Sequence, residues 1–210
     1  MSVLTVLRRQ ATGGNEVDPW GMDPELVGLA RALAPLRWSV TVGGADHVPA
    51  TGPALLVANR RMLAATPLLV AASIGRATGR EVRFTGIADI APLGPALRRV
   101  GGVLARPDEV AGLLRDGQLP AVWCDARSSK RVGAAPEPFL AAAMATGAPV
   151  LPVAVIAPPL VRRVRVEVGP PVEPRRRTGP LAVAELADAV RDAIQRIVDE
   201  ASPPSWLVPG

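Results

Sequence analysis

Short apolar runs that alternate with helical segments are the feature that most constrains the fold of this 210-residue chain. Residues 54–58 form an uninterrupted apolar run, as expected of a strand buried in the centre of a parallel sheet. Further strands are predicted at 39–42, 81–85, 101–105, 121–124, 150–156 and 164–168, and helices at 24–37, 66–76, 93–100, 108–115, 138–146 and 180–200. This alternation predicts an α/β layered sandwich, in which helices flank a mixed, largely parallel sheet.

The chain has the length of one α/β domain. Residues 1–22 have no sustained period and are predicted to form a loose N-terminal leader. The domain itself is expected to span 23–200, because Asp23 and Pro24 give an N-cap and a first helical residue. The remaining residues, 201–210, are rich in proline and are predicted to be an extended tail.

Charge and cysteine content limit the partners and the compartment. The formal charge is +5, which suits an anionic membrane surface or a phosphorylated ligand. No aromatic stacking platform accompanies that charge, so we expect no nucleic-acid partner. One cysteine, Cys124, excludes an intramolecular disulfide, and the apolar stretch at 62–74 is shorter than the ~20 residues of a membrane span. We therefore expect a cytoplasmic protein, with peripheral attachment to the inner face of the plasma membrane as the alternative.

Four blocks occur in a characteristic order. In the first, an apolar strand runs into Asn59 and Arg60, and Ala65 follows five residues later. The second runs through two glycines to Arg106, and the third reads Val-Trp-Cys-Asp-Ala-Arg-Ser and includes Arg127. The fourth is an apolar strand at 147–155 that contains Pro-Val. This arrangement resembles the glycerolipid acyltransferases, the family typified by lysophosphatidate acyltransferase.

The resemblance covers about residues 40–200 and implies an acyltransferase-like α/β domain with a substrate groove along one edge of its sheet. Its implied ligands are acyl-CoA, acyl carrier protein or a lysophospholipid, without a metal or a cofactor. Transferring the family's motifs position by position gives Asn59, Arg106 and Arg127 as candidate substrate-binding residues. Arg60 and Arg61 are added because they follow a strand that leads into a helix, where α/β folds commonly bind anions.

Two positions depart from the pattern of that family. Its mechanism uses a histidine as general base and an aspartate that orients the imidazole, and Arg60 and Ala65 occupy these positions here. An arginine keeps its proton at any workable pH and cannot act as the base. Loss of a positioned base costs about 10²–10⁴-fold in rate. We therefore assign no catalytic residue and predict little or no acyl transfer.

Three other residues are candidates to replace the missing catalytic histidine. His47 is the only histidine and lies in a loop before Pro49, where a surface position is expected. Cys124 lacks a histidine partner in the sequence pattern, and Asp125 falls at the family's glutamate position only if the alignment shifts by one residue. Two hypotheses follow. The chain is a catalytically impaired relative that acts by binding lipid or an active acyltransferase partner, or it is an active enzyme with a non-standard catalytic residue.

Overall fold

The computed structural model describes residues 17–37, 39–60, 66–87, 93–125, 131–157, 163–173 and 179–201. A short 3-10 helix, Ala45–His47, follows the first strand. The helices of the described part are α1 (Pro24–Arg37), α2 (Thr66–Thr78), α3 (Leu93–Arg99), α4 (Pro107–Arg115), α5 (Glu137–Thr146) and α6 (Pro180–Ala201). None of them is both long enough and apolar enough to cross a bilayer.

A single mixed sheet lies at the centre of the described structure. Its strands are β1 (Ser39–Gly43), β2 (Leu55–Ala58), β3 (Val82–Thr85), β4 (Gly102–Val103), β5 (Leu119–Trp123), β6 (Val150–Ile156) and β7 (Arg163–Val168). The spatial order is β1-β7-β6-β2-β5-β3-β4, and every neighbouring pair is parallel except β6 and β7. The predicted α/β class with a mixed, largely parallel sheet is confirmed, and the predicted elements match within a few residues.

The period of two in each strand divides the core between the two faces of the sheet. Leu56 and Ala58 of β2 point to the first face, where Val70 and Ile74 of α2 cover them. Residues of β2 that alternate with these point to the second face, and α4, α5 and α6 cover them. All four β2 residues are fully buried, which explains why the sequence of this strand is continuously apolar.

The last residues of the predicted leader pack against the domain. Trp20 packs its ring against Gly112 of α4, and its Nε1 donates to Asp116 at 2.9 Å. Met22 is completely buried. Residues 17–22 therefore belong to the packed domain, because they cover a face of α4 and the adjoining sheet. The earlier part of the leader and the tail beyond Ala201 lie outside the described residues.

Candidate functional site

Five parallel strands end at one edge of the sheet, which we call the carboxyl edge. The chain leaves β2 into α2 on the first face and continues to β3, whereas it leaves β5 into α5 on the second face and continues to β6. Neighbouring strands whose connections diverge in this way leave a crevice between them. In open α/β sheets, ligands bind at such a topological switch point. Here the switch point lies between β2 and β5.

Arg60 follows β2 at this switch point. The strand before it is buried, but the Arg60 side chain is exposed. No hydrogen bond or ion pair holds its guanidinium within the part of the chain that the structure describes. Arg60 can therefore present its charge to a ligand at the carboxyl edge.

Asp125 occupies the position after β5 that Arg60 occupies after β2. The register of β2 and β5 pairs Ala58 with Trp123, and each of these residues is followed two positions later by a charged residue. The ladder continues one step further, because the Cys124 amide donates to the Ala58 carbonyl at 2.8 Å. The Asp125 side chain is also exposed and has no ion-pair partner among the described residues. One cation and one anion thus follow the two strands that flank the switch point.

The main chain around Asp125 is held by the loop that follows. Its amide donates to the Ala134 carbonyl at 2.9 Å. Gly133 packs directly on Asp125, and a Cβ atom at Gly133 would lie 2.7 Å from the Asp125 carbonyl carbon. Any larger residue at Gly133 would push this loop away, so the close approach fixes the Asp125 backbone.

Asn59 lies one residue before Arg60 and differs from it in environment. Its side chain is buried. Its Oδ1 accepts the Val155 amide at 2.6 Å, and its Nδ2 donates to the Val155 carbonyl at 3.1 Å. The amide group that was predicted to bind substrate thus pairs with the main chain of β6.

Arg106 lies at the same edge but further along the sheet. It is the exposed N-cap residue of α4 and follows β4, which is three strand positions from β2. With neighbouring strands about 4.8 Å apart, this separates the ends of the two strands by roughly 15 Å. The strand ends that precede Arg60 and Arg106 are therefore not neighbours in the sheet. Two further candidates, Arg61 and Arg127, lie outside the described residues, as does Ala65.

His47 lies against the end of β7, which is two strand positions from β2. Its Nδ1 is 2.8 Å from the carbonyl oxygen of Val168, the last residue of β7. Because a carbonyl only accepts, Nδ1 must carry the proton in this contact. Val168 pairs with Val153 of β6, which in turn pairs with Ala58 of β2, so the two strand ends are roughly 10 Å apart across the sheet. The single histidine of the sequence therefore does not occupy the position of a base at Arg60.

Cys124 is buried in the core of the second face and is 1% exposed. Burial, with a smaller contribution from the nearby Asp125 carboxylate, raises the pKa of its thiol from 9.0 to about 12. The thiol therefore stays protonated at neutral pH, and the thiolate that a nucleophile needs is not formed.

Trp123 was not singled out from the sequence as a site residue. It is half-buried at the end of β5, and its Nε1 donates to the Thr85 carbonyl at 3.0 Å. The bond ties the end of β5 to the end of β3 beside the crevice. Only the pairing of these strands reveals this role, because Trp123 and Thr85 are 38 residues apart.

No family model matches this sequence. An uncharacterized protein of Mycobacterium tuberculosis is 27% identical over 177 residues, which covers 74% of this chain and 49% of that protein. An uncharacterized protein of Mycobacterium leprae is 29% identical over 133 residues, covering 58% of this chain and 36% of that protein. The chain thus spans about half the length, or less, of the curated relatives it matches.

A solved structure shares its fold with most of this chain. The crystal structure of the 1-acyl-sn-glycerophosphate (LPA) acyltransferase PlsC from Thermotoga maritima aligns with a TM-score of 0.64 over 85% of this chain and 81% of that one. The two sequences are 21% identical over this alignment. The protein therefore has the α/β fold of this acyltransferase.

Proposed function

We propose that the protein binds a lysophospholipid at the carboxyl edge of the sheet and transfers acyl groups weakly or not at all. In this proposal it is a non-catalytic relative of the acyltransferases of phospholipid biosynthesis. Arg60 supplies the charge that attracts the phosphate of the lipid. Arg61, Arg106 and Arg127 are the further candidates for contacts with the headgroup or the acyl donor.

One observation supports the loss of catalysis above all others. The residue that follows β2 at the switch point, two positions after its end, is Arg60, whose guanidinium cannot accept a proton from an alcohol. The only histidine of the sequence is bonded to Val168 of β7, two strand positions from β2. A site without a base retains the ability to bind the acceptor but lacks the group that activates its hydroxyl.

The alternative is an active acyltransferase with a different base. The buried Cys124 thiol, with its pKa raised to about 12, argues against a thiolate nucleophile. Asp125 favours this alternative, because it is an exposed carboxylate beside the switch point. In this version its carboxylate accepts the proton of the acceptor hydroxyl as the oxygen attacks the thioester carbonyl, and the thiolate of coenzyme A or acyl carrier protein leaves.

An acyl-transfer assay separates the two proposals. Purified protein is incubated with radiolabelled acyl-CoA and lysophosphatidate, with the Thermotoga maritima PlsC enzyme as the positive control. Binding of lysophosphatidate is measured in parallel by isothermal titration calorimetry. We expect binding with a rate at least about 10²-fold below that of the control. Turnover comparable to the control would refute the non-catalytic proposal, and loss of that turnover in Asp125→Asn would assign the base.

Membrane and protein partners extend the same proposal. We propose that the protein is cytoplasmic and attaches peripherally to the anionic inner face of the plasma membrane. An active acyltransferase is a second candidate partner. Flotation with anionic liposomes tests the first, and electrostatic attraction should make association strongest at low salt. No flotation at low ionic strength would exclude attachment through surface charge.

A further inference from the structure

The charge pair at the switch point bears on which headgroup the site selects. Arg60 and Asp125 follow neighbouring parallel strands at equivalent positions, and both side chains are exposed. Neither is neutralised by an ion pair within the described residues. We infer that this pair recognises a zwitterionic phosphodiester headgroup of the phosphoethanolamine type, with the phosphate on Arg60 and the ammonium on Asp125. The inference rests on the proposed function and names the lipid class that the site prefers.

The spacing of the two residues suits such a headgroup. The hydrogen bond from the Cys124 amide to the Ala58 carbonyl keeps β2 and β5 together up to the residues just before the pair. Neighbouring strands are roughly 5 Å apart where they pair, which is also about the separation between a phosphate and an ammonium joined by a two-carbon bridge. An ethanolamine headgroup is therefore long enough to extend from the end of one strand to the end of the other.

The main chain holds both residues in place. Asn59 fixes the backbone before Arg60 through its two hydrogen bonds to Val155. On the other strand, the Asp125 amide is bonded to Ala134, and Gly133 packs on the Asp125 backbone. With the backbone already ordered at both positions, binding has to order only the two side chains, which lowers its entropic cost.

Charge complementarity decides between the possible lysophospholipids. A phosphomonoester, as in lysophosphatidate, carries close to two negative charges at neutral pH and is attracted by Arg60 but repelled by Asp125. A phosphoethanolamine diester carries one negative and one positive charge, so both side chains attract it. Attraction between unlike charges favours the phosphoethanolamine lipid, and repulsion between like charges disfavours lysophosphatidate. Specificity usually combines these two effects.

The test compares two lysolipids with the same acyl chain, lysophosphatidylethanolamine and lysophosphatidate, both below their micelle concentrations. Isothermal titration calorimetry on the full chain gives the dissociation constant of each. We expect the wild type to prefer lysophosphatidylethanolamine. In Asp125→Asn this preference should move roughly tenfold toward lysophosphatidate, because the repulsive carboxylate is gone. Arg60→Gln should weaken the binding of both lipids.

Control variants remove the same charges elsewhere. Asp46→Asn and Arg76→Gln alter exposed residues of the 3-10 helix and of α2 and should leave both dissociation constants unchanged. Thermal unfolding of each variant shows whether the fold is retained, which is expected because Arg60 and Asp125 are exposed. Binding of both lipids with a ratio that Asp125→Asn does not change would overturn the zwitterion inference while leaving the proposed function intact. Binding of neither lipid to the wild type would overturn the proposed function itself and this inference with it.

Discussion

The side chain of Asn59 and the main chain of Val155 form a closed pair of hydrogen bonds. Asn59 accepts the Val155 amide and donates to the Val155 carbonyl at 2.6 and 3.1 Å. A side chain thus imitates the backbone of a strand and prolongs the contact between β2 and β6 past the end of β2. It holds the chain in place where Arg60 emerges at the carboxyl edge.

Replacing Asn59 by alanine should destabilise the domain. The amide and the carbonyl of Val155 would each lose a hydrogen bond in a buried environment, and each such loss costs about 1–3 kcal/mol. We expect a loss of about 2–4 kcal/mol in the free energy of unfolding, measured by urea denaturation. Arg60→Ala removes the exposed neighbour and should change stability by less than about 0.5 kcal/mol. Equal effects of the two variants would contradict the assigned role of Asn59.

Arg80 is predicted to stabilise three loops at the edge opposite the candidate site. Its guanidinium donates to the carbonyls of Pro49, Gly52 and Gly117 at 2.8, 2.7 and 2.9 Å. Hydrogen bonds from a charged donor contribute about 1.5–3 kcal/mol each when well buried and less where water competes. We therefore expect Arg80→Ala to lower the free energy of unfolding by about 2–4 kcal/mol, with partial recovery in Arg80→Lys.

The control for Arg80 is the exposed Arg76, four residues earlier. Arg76→Ala should stay within about 0.5 kcal/mol of the wild type, because it removes a similar charge without buried contacts. If Arg80→Ala were as stable as Arg76→Ala in the same urea titration, the three carbonyl contacts would be irrelevant to stability.

The third prediction concerns the counter-ion of a buried arginine. Arg83 is completely buried and forms an ion pair with Asp18, while its Nε and Nη1 have no hydrogen-bond partner in the described structure. Asp18→Asn leaves the guanidinium charge without its partner and should cost about 3–5 kcal/mol. Arg83→Met removes the charge itself and should cost less, since apolar residues can replace buried ions.

A double-mutant cycle checks this pair. Once Arg83 is methionine, the further change Asp18→Asn should have little effect on the free energy of unfolding, which gives a coupling energy of several kcal/mol. The opposite result is a double variant that loses as much free energy of unfolding as the two single variants together. That result would show that Asp18 acts through its loop, where it accepts hydrogen bonds from the amides of Trp20 and Met22, and not through Arg83.

The fourth prediction follows from the thiol of Cys124. Its pKa is raised to about 12 in the folded state, and its ordinary value is 9.0. Below pH 9 the thiol is protonated in both states. Above pH 9 only the unfolded state loses the proton, so stability falls as the pH rises from 9 toward 12, by up to about 1.4 kcal/mol per pH unit.

The composition makes this alkaline effect easy to isolate. The chain has no tyrosine, and Lys130 is its only lysine, so few other side chains titrate in the same range. The free energy of unfolding of the wild type should fall between pH 9 and 10.5, and Cys124→Ala should show a flatter profile. Parallel profiles for the two proteins would mean that the buried thiol does not titrate differently on unfolding.

The sequence predicted the elements well because their signals are local. The apolar run before Asn59, the proline after Asp23 and the glycine after α5 define an element without any distant contact. The packed segment around Trp20 was missed for the opposite reason. Trp20 has no periodic neighbours, and its partner Asp116 is 96 residues away. No local pattern distinguishes such a segment from a loose leader.

The sequence alone determined the chemistry that is available: an arginine at the end of a buried strand, one histidine and one cysteine, in an α/β frame. Only the tertiary structure decided which of these groups meet. It placed Asp125 and Arg60 at equivalent positions after neighbouring strands, buried the amide of Asn59 and the thiol of Cys124, and held His47 against the end of β7. The reason is that side-chain identity is fixed by each residue, whereas proximity depends on strand order and register, which the packing of the entire sheet decides.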